Sequence, residues 1–514
     1  MAEMANPKVP IAGKQIETGD SAVERRLART HMSVPFIIAC VGALLAISAD
    51  TQLLTIIPLL GRLEKSLGMS ASQGALSLSI TGIAFAATVP ISSRLGDMFG
   101  FRRLLLVSVV LVVVGNIICA SADDPIAFIA GRAVMGFSAA LPLFYALLRL
   151  RADTIRGIDR YAGLMTGAIG AGIVVSFLLG GLVLQAGGTA RDVLWVMTAL
   201  SVLVLVLVWL FIPDSHTRTN VTVDYPGAIL IALAFGLVVT GFDQGNEWGW
   251  TAAGTLTLLA AGVALLPVWG WWELTAKHPL IDLRVVKRRE IWPAFLAAGI
   301  ASMVAGASCL MVSNYVQTPT IAGYGFGGTV LIAALYLLPQ GFIVAFGGGV
   351  MTPIIRVLGQ RNAAILGGLL ITGFFFWFSA NNYSQTWQFV IESIAMGTAW
   401  SLTYTASYSA YLRATRPGEG GMLNGAAQAT GQGINALGPA IVTALVTASF
   451  IPHTPIPAGN NYGHVWFFFG TCGIAVALLS LLIRNSRVDQ HLAPNTEIVG
   501  PAKPKAMGPD EIAV

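Results

Sequence analysis

Apolar residues in this chain neither alternate nor recur against a polar face. They run on in stretches of about twenty, separated by short polar segments. Wound as a helix, a stretch of that length crosses a hydrocarbon core about 30 Å thick. Fourteen such stretches predict helices at 34–62, 71–93, 103–121, 125–152, 159–186, 192–213, 225–243, 250–273, 291–316, 325–350, 362–380, 385–413, 420–450 and 464–484. Helix is the required state, because unpaired backbone amides are costly in lipid and the ten-residue alternation of a membrane barrel is absent. The polar segments 1–33 and 485–514 read as tails. The first carries Lys8, Lys14, Arg25, Arg26 and Arg29 without an apolar core, which predicts no cleavable leader and an insertion directed by the first helix.

Composition sharpens this picture. Of 514 residues 55% are hydrophobic and 11% charged, against roughly 25% charged in a soluble domain, and the mean hydropathy is +0.73. A string of soluble domains is excluded; one polytopic, all-α membrane protein is expected. Of the thirty Lys and Arg, 26 fall on the side of the N-terminus, three (Arg62, Lys65, Arg191) fall on the other, and Arg132 lies within a helix. Positive charge is retained in the cytoplasm, so the expectation is a cell-membrane protein with both termini cytoplasmic. The net charge of +5 then reflects topology, and no nucleic-acid partner is expected.

Cys40, Cys119, Cys309 and Cys472 all lie in apolar stretches, which signals neither a disulfide framework nor a metal site. No GxxxxGK[ST] run is present, so ATP hydrolysis is not expected of this chain and no cofactor is called for. All six histidines sit at or beyond predicted helix ends, and no nucleophile, base and orienting group converge, so an enzyme is not expected.

A nearly constant offset runs through the chain. Pro35, Gly163, Gly167 and Ala171 recur 258 residues later as Pro293, Gly421, Gly425 and Ala429, and Gly100 and Arg102 recur 259 later as Gly359 and Arg361. Such duplication characterises transporter folds. It predicts two six-helix bundles, 34–213 and 291–484, with an inserted helix pair and a cytoplasmic loop at 214–290. An even insertion leaves the bundles parallel, related by an axis along the membrane normal.

Ionisable side chains within the spans each cost roughly 2.5–3.5 kcal/mol near a helix centre and need a partner or a purpose. Asp50 in the first span and Arg132 in the fourth have depths that could meet. One reading has Asp50 exchanging a proton as it leaves and re-forms an ion pair with Arg132; the other is a permanent buried pair that fixes packing. Glu392 is a second carboxylate, for coupling or for a wet vestibule. Asp243, Glu247 and Glu273 fall at predicted helix ends and receive no role. Gly163, Gly167, Gly421 and Gly425 repeat every four residues, a pattern for close helix packing and for smooth faces on which the bundles rock. Pro58, Pro90, Pro142, Pro339 and Pro439 predict kinks. Asp97, Gly100, Arg102 and Arg103, in the segment after the second span, suit a latch: Gly100 permits a tight turn, and Asp97 can accept bonds from a helix N-terminus or an arginine.

With these residues in view the chain resembles the major facilitator superfamily, and within it the fourteen-helix drug:proton antiporter branch. Leu95-x-Asp97-x-x-Gly100-x-Arg102-Arg103 is similar to the superfamily's loop motif, and Arg132-Ala-Val-Met-Gly136 to its fourth-helix arginine motif, associated with proton coupling. Asp224-Tyr-Pro-Gly227, Trp248-Gly-Trp250, Pro279-Leu-Ile-Asp-Leu283 and the run Gln317, Gly323, Pro339 follow the branch in order. Three features depart from it. Ser93 and Met98 stand where the loop motif carries a glycine and a basic residue, and Ser176-Phe177 stand where the branch has Gly-Pro, which predicts a straighter fifth span.

The resemblance implies two six-helix bundles plus an inserted pair, and proton-coupled efflux of hydrophobic or amphipathic molecules, as in multidrug and antibiotic exporters. A cavity lined by Phe144, Asn314, Tyr315, Gln317 and Tyr336 would suit such ligands. The expected partners are lipid, protons and the small-molecule substrate, with a monomer sufficient. The alternative is an uncoupled facilitator, or a carrier of one metabolite or lipid.

Overall fold

The structure is a computed structural model that describes residues 34–144, 155–212, 224–277, 279–381, 383–414, 420–454 and 456–483. Both tails, the end of the fourth predicted span with Arg149 and Arg151, and most of the loop that opens the 214–290 segment lie outside the described residues. Among those described, the chain forms sixteen α-helices and no strand. They are α1 (Val34–Leu54), α2 (Ile56–Leu67), α3 (Ala71–Phe99), α4 (Phe101–Ser121), α5 (Pro125–Gly136), α6 (Ile155–Gln185), α7 (Ala190–Phe211), α8 (Tyr225–Trp248), α9 (Ala253–Thr275), α10 (Leu283–Val286), α11 (Trp292–Gln317), α12 (Val330–Leu358), α13 (Gln360–Ala380), α14 (Thr386–Ala414), α15 (Gly420–Val446) and α16 (Gly459–Leu481).

Among the described residues ten spans are long and apolar enough to cross a membrane, and the bent pair α1–α2 makes an eleventh. Of the other three predicted stretches, α6 registers only over Gly170–Gln185, and α14 and α15 carry many interior polar groups: Gln388, Glu392, Ser393, Ser401, Thr403 and Ser407 on α14 are all buried. Elsewhere the apolar surface turns outward. α4 exposes Val107, Val110, Val114 and Ile117, one helical stripe that lipid covers.

Local chemistry fixes the helix starts. Ser70 and Gln73 form a reciprocal capping box at α3, Thr189 and Asp192 another at α7, and Asp124 accepts from the amides of Ile126 and Ala127 at α5. Proline fixes two breaks. Pro58 has no N–H for the carbonyl of Leu54, and α1 and α2 meet at 47° around Thr55. Pro142 likewise has none for Ser138. The fourth span therefore unwinds over 137–139 before resuming at 140–144, and Ser108 Oγ on α4 takes up the Ala139 amide at 3.4 Å. Pro90, Pro339 and Pro439 stay inside unbroken helices. α6 also runs unbroken past Ser176-Phe177.

The helices sort into two sets. α1 packs against α6 and α7, and α5 against α3 and α4; in the second set α11 packs against α14, α15 and α16, and α13 against α14 and α16. Two seams join the sets, α3 with α15 and α6 with α12. α8 lies along the α3–α15 seam, and α9 packs chiefly on α8.

The 259-residue offset maps one seam onto the other. Gly82 on α3 faces Gln432 and Ala436 on α15; Gly341 on α12 faces Ile173 and Phe177 on α6. Every one of those positions has its counterpart 259 residues on. Gly100 and Gly359 are equally matched, both at positive φ (95° and 79°), where only glycine is at ease, and each joins two helices without a loop. One end of the molecule, the Gly100 end, holds these two turns, and the other, the Tyr324 end, holds Gly68, Trp250 and Tyr324.

Candidate functional site

Arg132 is 1% exposed. Its Nε donates to Ser77 O on α3 at 3.0 Å and its Nη1 to Gln52 O on α1 at 2.5 Å, while Thr81 Oγ1 returns a bond to Arg132 O. Gly136 makes this approach possible: a Cβ there would lie 2.6 Å from Thr81 O. The arginine motif thus works as a clamp of α5 on α1 and α3. Beside it Gln52 and Asn116 both donate to Ser201 Oγ, at 3.2 and 2.9 Å.

The expected ion pair with Asp50 is absent from this arrangement. Asp50 lies two residues before Gln52, about 200° around the same helix, and points at α6, where its Oδ2 would touch any Cβ on Gly172. That oxygen is buried and has no hydrogen-bond partner among the described residues. Among the described residues no carboxylate lies within 4 Å of the Arg132 guanidinium.

Glu392 is fully buried on α14, about two turns from the helix start, the depth at which Arg132 sits in α5. Ser393 Oγ lies 3.5 Å from its Oε2, and its Oε1 has no partner. Cys309 Sγ contacts Gln340 Oε1 nearby at 3.4 Å. Between these groups and the Tyr324 end stands an aromatic cluster centred on Tyr315, with ring centroids of Phe389 at 4.9 Å, Tyr462 at 5.2 Å, and Tyr324 and Tyr383 at 5.5 Å. Tyr336 meets its edge through Phe326 and Phe389. Tyr315 is 2% exposed and serves as a packing hub. Asn314 is partly buried beside it. Gln317 reaches across the two sets, donating to Pro58 O at 3.0 Å.

A cavity of about 80 Å³ lies between α1, α3, α4 and α7, with the break in the fourth span at its rim and Gln432 of α15 on its wall. Its lining is apolar apart from Ser48, Gln52, Thr81, Ser138 and Gln432. Ligand pockets run about 300–1,000 Å³, so this conformation holds the space nearly shut. Phe144, expected on a cavity wall, is instead wholly buried in a core with Leu45, Phe101 and Leu105, because the resumed helix turns it inward.

Sequence reasoning passed over a ladder on α14. Trp400 stacks on Tyr404 (4.8 Å) and Tyr404 on Tyr408 (6.3 Å), with Trp400 Nε1 bonded to Ser302 on α11. Aromatics four residues apart in an otherwise polar span were the available signal.

At the Gly100 end, Arg102 Nη2 donates to Trp209 O in the last turn of α7 at 2.9 Å, a favourable place for a cation, and Arg94 donates to Pro279 O. Arg103 is exposed. The side chain of Asp97 lies outside the described residues. Gly163, Gly167 and Gly421 lie on α6 and α15 with their surroundings outside the described residues, and Gly425 has Pro90 Cα 3.8 Å from its would-be Cβ. Among the described residues of α6 the tight approaches are at Gly170 and Gly181 toward α12 and at Gly172 and Gly180 toward α1 and α2.

Paired helical sets, buried lone charges and lipid-facing flanks define a multi-pass membrane transporter. The profile of the Major Facilitator Superfamily matches residues 38–439, and the chain belongs to that family. It is 27% identical over 323 residues to the Major facilitator superfamily multidrug transporter mfsC of Aspergillus fumigatus, covering 62% of this chain and 61% of that protein. It is 32% identical over 313 residues to the triacylglyceride transporter MT1454 of Mycobacterium tuberculosis, covering 57% of each. The matches thus span about three fifths of these relatives' length. Among solved structures, a peptide transporter POT in complex with sulfate aligns with a TM-score of 0.63 at 14% identity, over 88% of this chain and 93% of that one. The nucleoside transporter NupG aligns at 0.58 and 14%, over 88% and 99%. At such identities these two speak for the fold alone.

Proposed function

We propose that the chain is a fourteen-span, proton-coupled exporter of hydrophobic and amphipathic small molecules. In this reading it works as a monomer by alternating access in the cell membrane, with the Gly100 end and both termini in the cytoplasm. The observation that carries it is a pair of carboxylates, Asp50 in the first set and Glu392 in the second, each with a buried oxygen that has no hydrogen-bond partner among the described residues. Such a group is costly unless it has work to do. A carboxylate that holds a proton in one arrangement of the two sets and releases it in the other moves that proton with each cycle.

Arg132, held by carbonyls, then acts as a fixed positive charge on the opposite side of α1 rather than as a standing partner. The Trp400, Tyr404 and Tyr408 ladder offers π faces to apolar rings and organic cations. Gln317 on Pro58 O closes the outer end, and Asp97, Gly100, Arg102 and Arg103 form the cytoplasmic latch. The small faces of α6 and α15, Gly163, Gly167, Gly421 and Gly425 among them, let the sets rock.

The test is flux of a fluorescent organic cation in proteoliposomes under an imposed pH gradient. Wild-type protein is expected to follow the gradient, and Asp50→Asn to stay folded while losing gradient-driven flux. Flux that ignores the pH gradient in the wild type would overturn the reading. A second reading, an uncoupled lipid carrier, draws on the largely apolar cavity and the relative named for triacylglyceride transport; gradient-independent movement of a labelled acylglycerol between vesicles would favour it.

A further inference from the structure

The inserted pair carries a carboxylate that the coupling scheme above does not use. Asp243, on α8, is 6% exposed, and among the described residues neither of its carboxylate oxygens has a hydrogen-bond partner. Its face of α8 is fixed by its neighbours. One turn toward the Gly100 end, Val239 packs with Ile83 of α3 and Ala436 and Ala440 of α15. One turn toward the Tyr324 end, Glu247 accepts a bond from Ser72 of α3. Since α3 and α8 run antiparallel, Asp243 lies level with the stretch of α3 between Ser72 and Ile83. On that stripe sits Ser79, fully buried and also without a partner for its hydroxyl. α9 contacts the opposite side of α8, where Leu259 meets Gly241. Asp243 therefore faces the α3–α15 seam, along which the two halves of a transporter move.

We propose that Asp243 is a proton-binding site on the inserted pair, loaded from water at the Tyr324 end through Glu247 and sensitive to opening of the α3–α15 seam. Glu247 is exposed and one helical turn away, within the roughly 5–6 Å that separates Cβ atoms at that spacing. A proton taken from water by Glu247 passes to an Asp243 oxygen and leaves Glu247 ionised, ready to accept again from Ser72; the reverse path discharges it. Buried in the closed seam, Asp243 carries the proton because a bare carboxylate there has no donor to meet it. Opening the seam admits water and lets the proton go. Few other charges bear on the site. α3 from Ala71 to Ser92 and all of α15 contain no titratable side chain, and on α9 the one acid, Glu273, is at the Gly100 end. On α8 itself the one other acid is Glu247.

The site stands apart from Asp50 and Glu392, so its test is read in full-length protein irrespective of theirs. Dicyclohexylcarbodiimide, an apolar reagent that adds to protonated carboxyls, is applied to wild-type proteoliposomes at acidic and alkaline pH, and the adducts are mapped by peptide mass spectrometry. Labelling of Asp243 several-fold stronger at acidic pH is expected. Labelling of Glu247 with Asp243 untouched, or an Asp243 adduct that ignores pH, would overturn the proposal. Infrared difference spectra between the two pH values provide a second readout. The Asp243→Asn variant should lack one protonated-carboxyl band that Asp50→Asn and Glu392→Gln retain. A variant spectrum superimposable on the wild type's would sink the assignment whatever the labelling shows.

Discussion

Arg132 joins three helices through its guanidinium and backbone, and its contacts are two backbone carbonyls and the Thr81 hydroxyl rather than a charge. A planar fork can satisfy Ser77 O and Gln52 O together; an ammonium on a shorter reach meets one of them. The charge-assisted hydrogen bond lost in the protein interior is worth about 1.5–3 kcal/mol. Arg132→Lys is therefore expected to unfold at a lower temperature in detergent than the wild type, and Arg132→Ala lower still, with both guanidinium bonds lost and a cavity besides. Wild-type stability in Arg132→Lys would show that the fork is not what holds α5 against α1. Asp50, by contrast, makes no bond through its buried oxygen, so replacing it with asparagine removes little from the fold. Lost coupling at nearly unchanged stability is the signature that separates it from Arg132.

Helices in lipid are built on close contact, and α6 is the extreme case, touching α1 and α2 with one glycine face and α12 with another. A Cβ on Gly170 would sit 2.0 Å from Ala345 Cβ, far inside van der Waals contact. Gly170→Ala should thus push α6 off α12, lowering both yield of folded protein and transport, and Ala345→Gly in the same chain should not restore them, because the Ala345 Cα itself lies 2.2 Å from that Cβ. Wild-type yield and transport in Gly170→Ala would mean the seam tolerates separation. The positions of these helices were legible in the sequence, since length and apolarity alone decide what spans a bilayer. Which residues face which neighbour was not. A helix apolar all round has no preferred side in its own sequence, so the stripe read at Gly163 and Gly167 missed the approaches at Gly170 and Gly181. For the same reason Asp50 and Arg132, of matching depth, turned out to face different helices. Pro142 promised a kink without telling that Phe144 beyond it would point into the core. Asp243 looked like a helix end because the polar residues after it ended the apolar run, whereas α8 continues to Trp248 and buries it.

Across the whole molecule the 259-residue offset does more than record a duplication. Gly82 against Gln432 and Ala436 and Gly341 against Ile173 and Phe177 are the same set of contacts made twice, with Cβ positions at 3.0 and 3.1 Å from their nearest neighbours, and Gln317 touching Pro58 is a contact between counterparts. Two counterparts meet only near the axis that relates them, so Gln317 and Pro58 mark that axis at the Tyr324 end. An axis of this kind obliges the two seams to change together: a tilt of one set against the other that opens α3 from α15 also shears α6 on α12. Cysteine pairs test this directly. With Cys40, the one exposed native thiol, replaced by serine, Gly82→Cys with Ala436→Cys and Gly341→Cys with Ile173→Cys should both form disulfides under mild oxidation. Each locked form should lose most of its transport and regain it on reduction. If one locked seam stops transport while the other, equally cross-linked, leaves it running, the halves do not move as two rigid bodies about a common axis. The flexible element would then have to be sought within a set, with the unwound turn at 137–139 the first place to look.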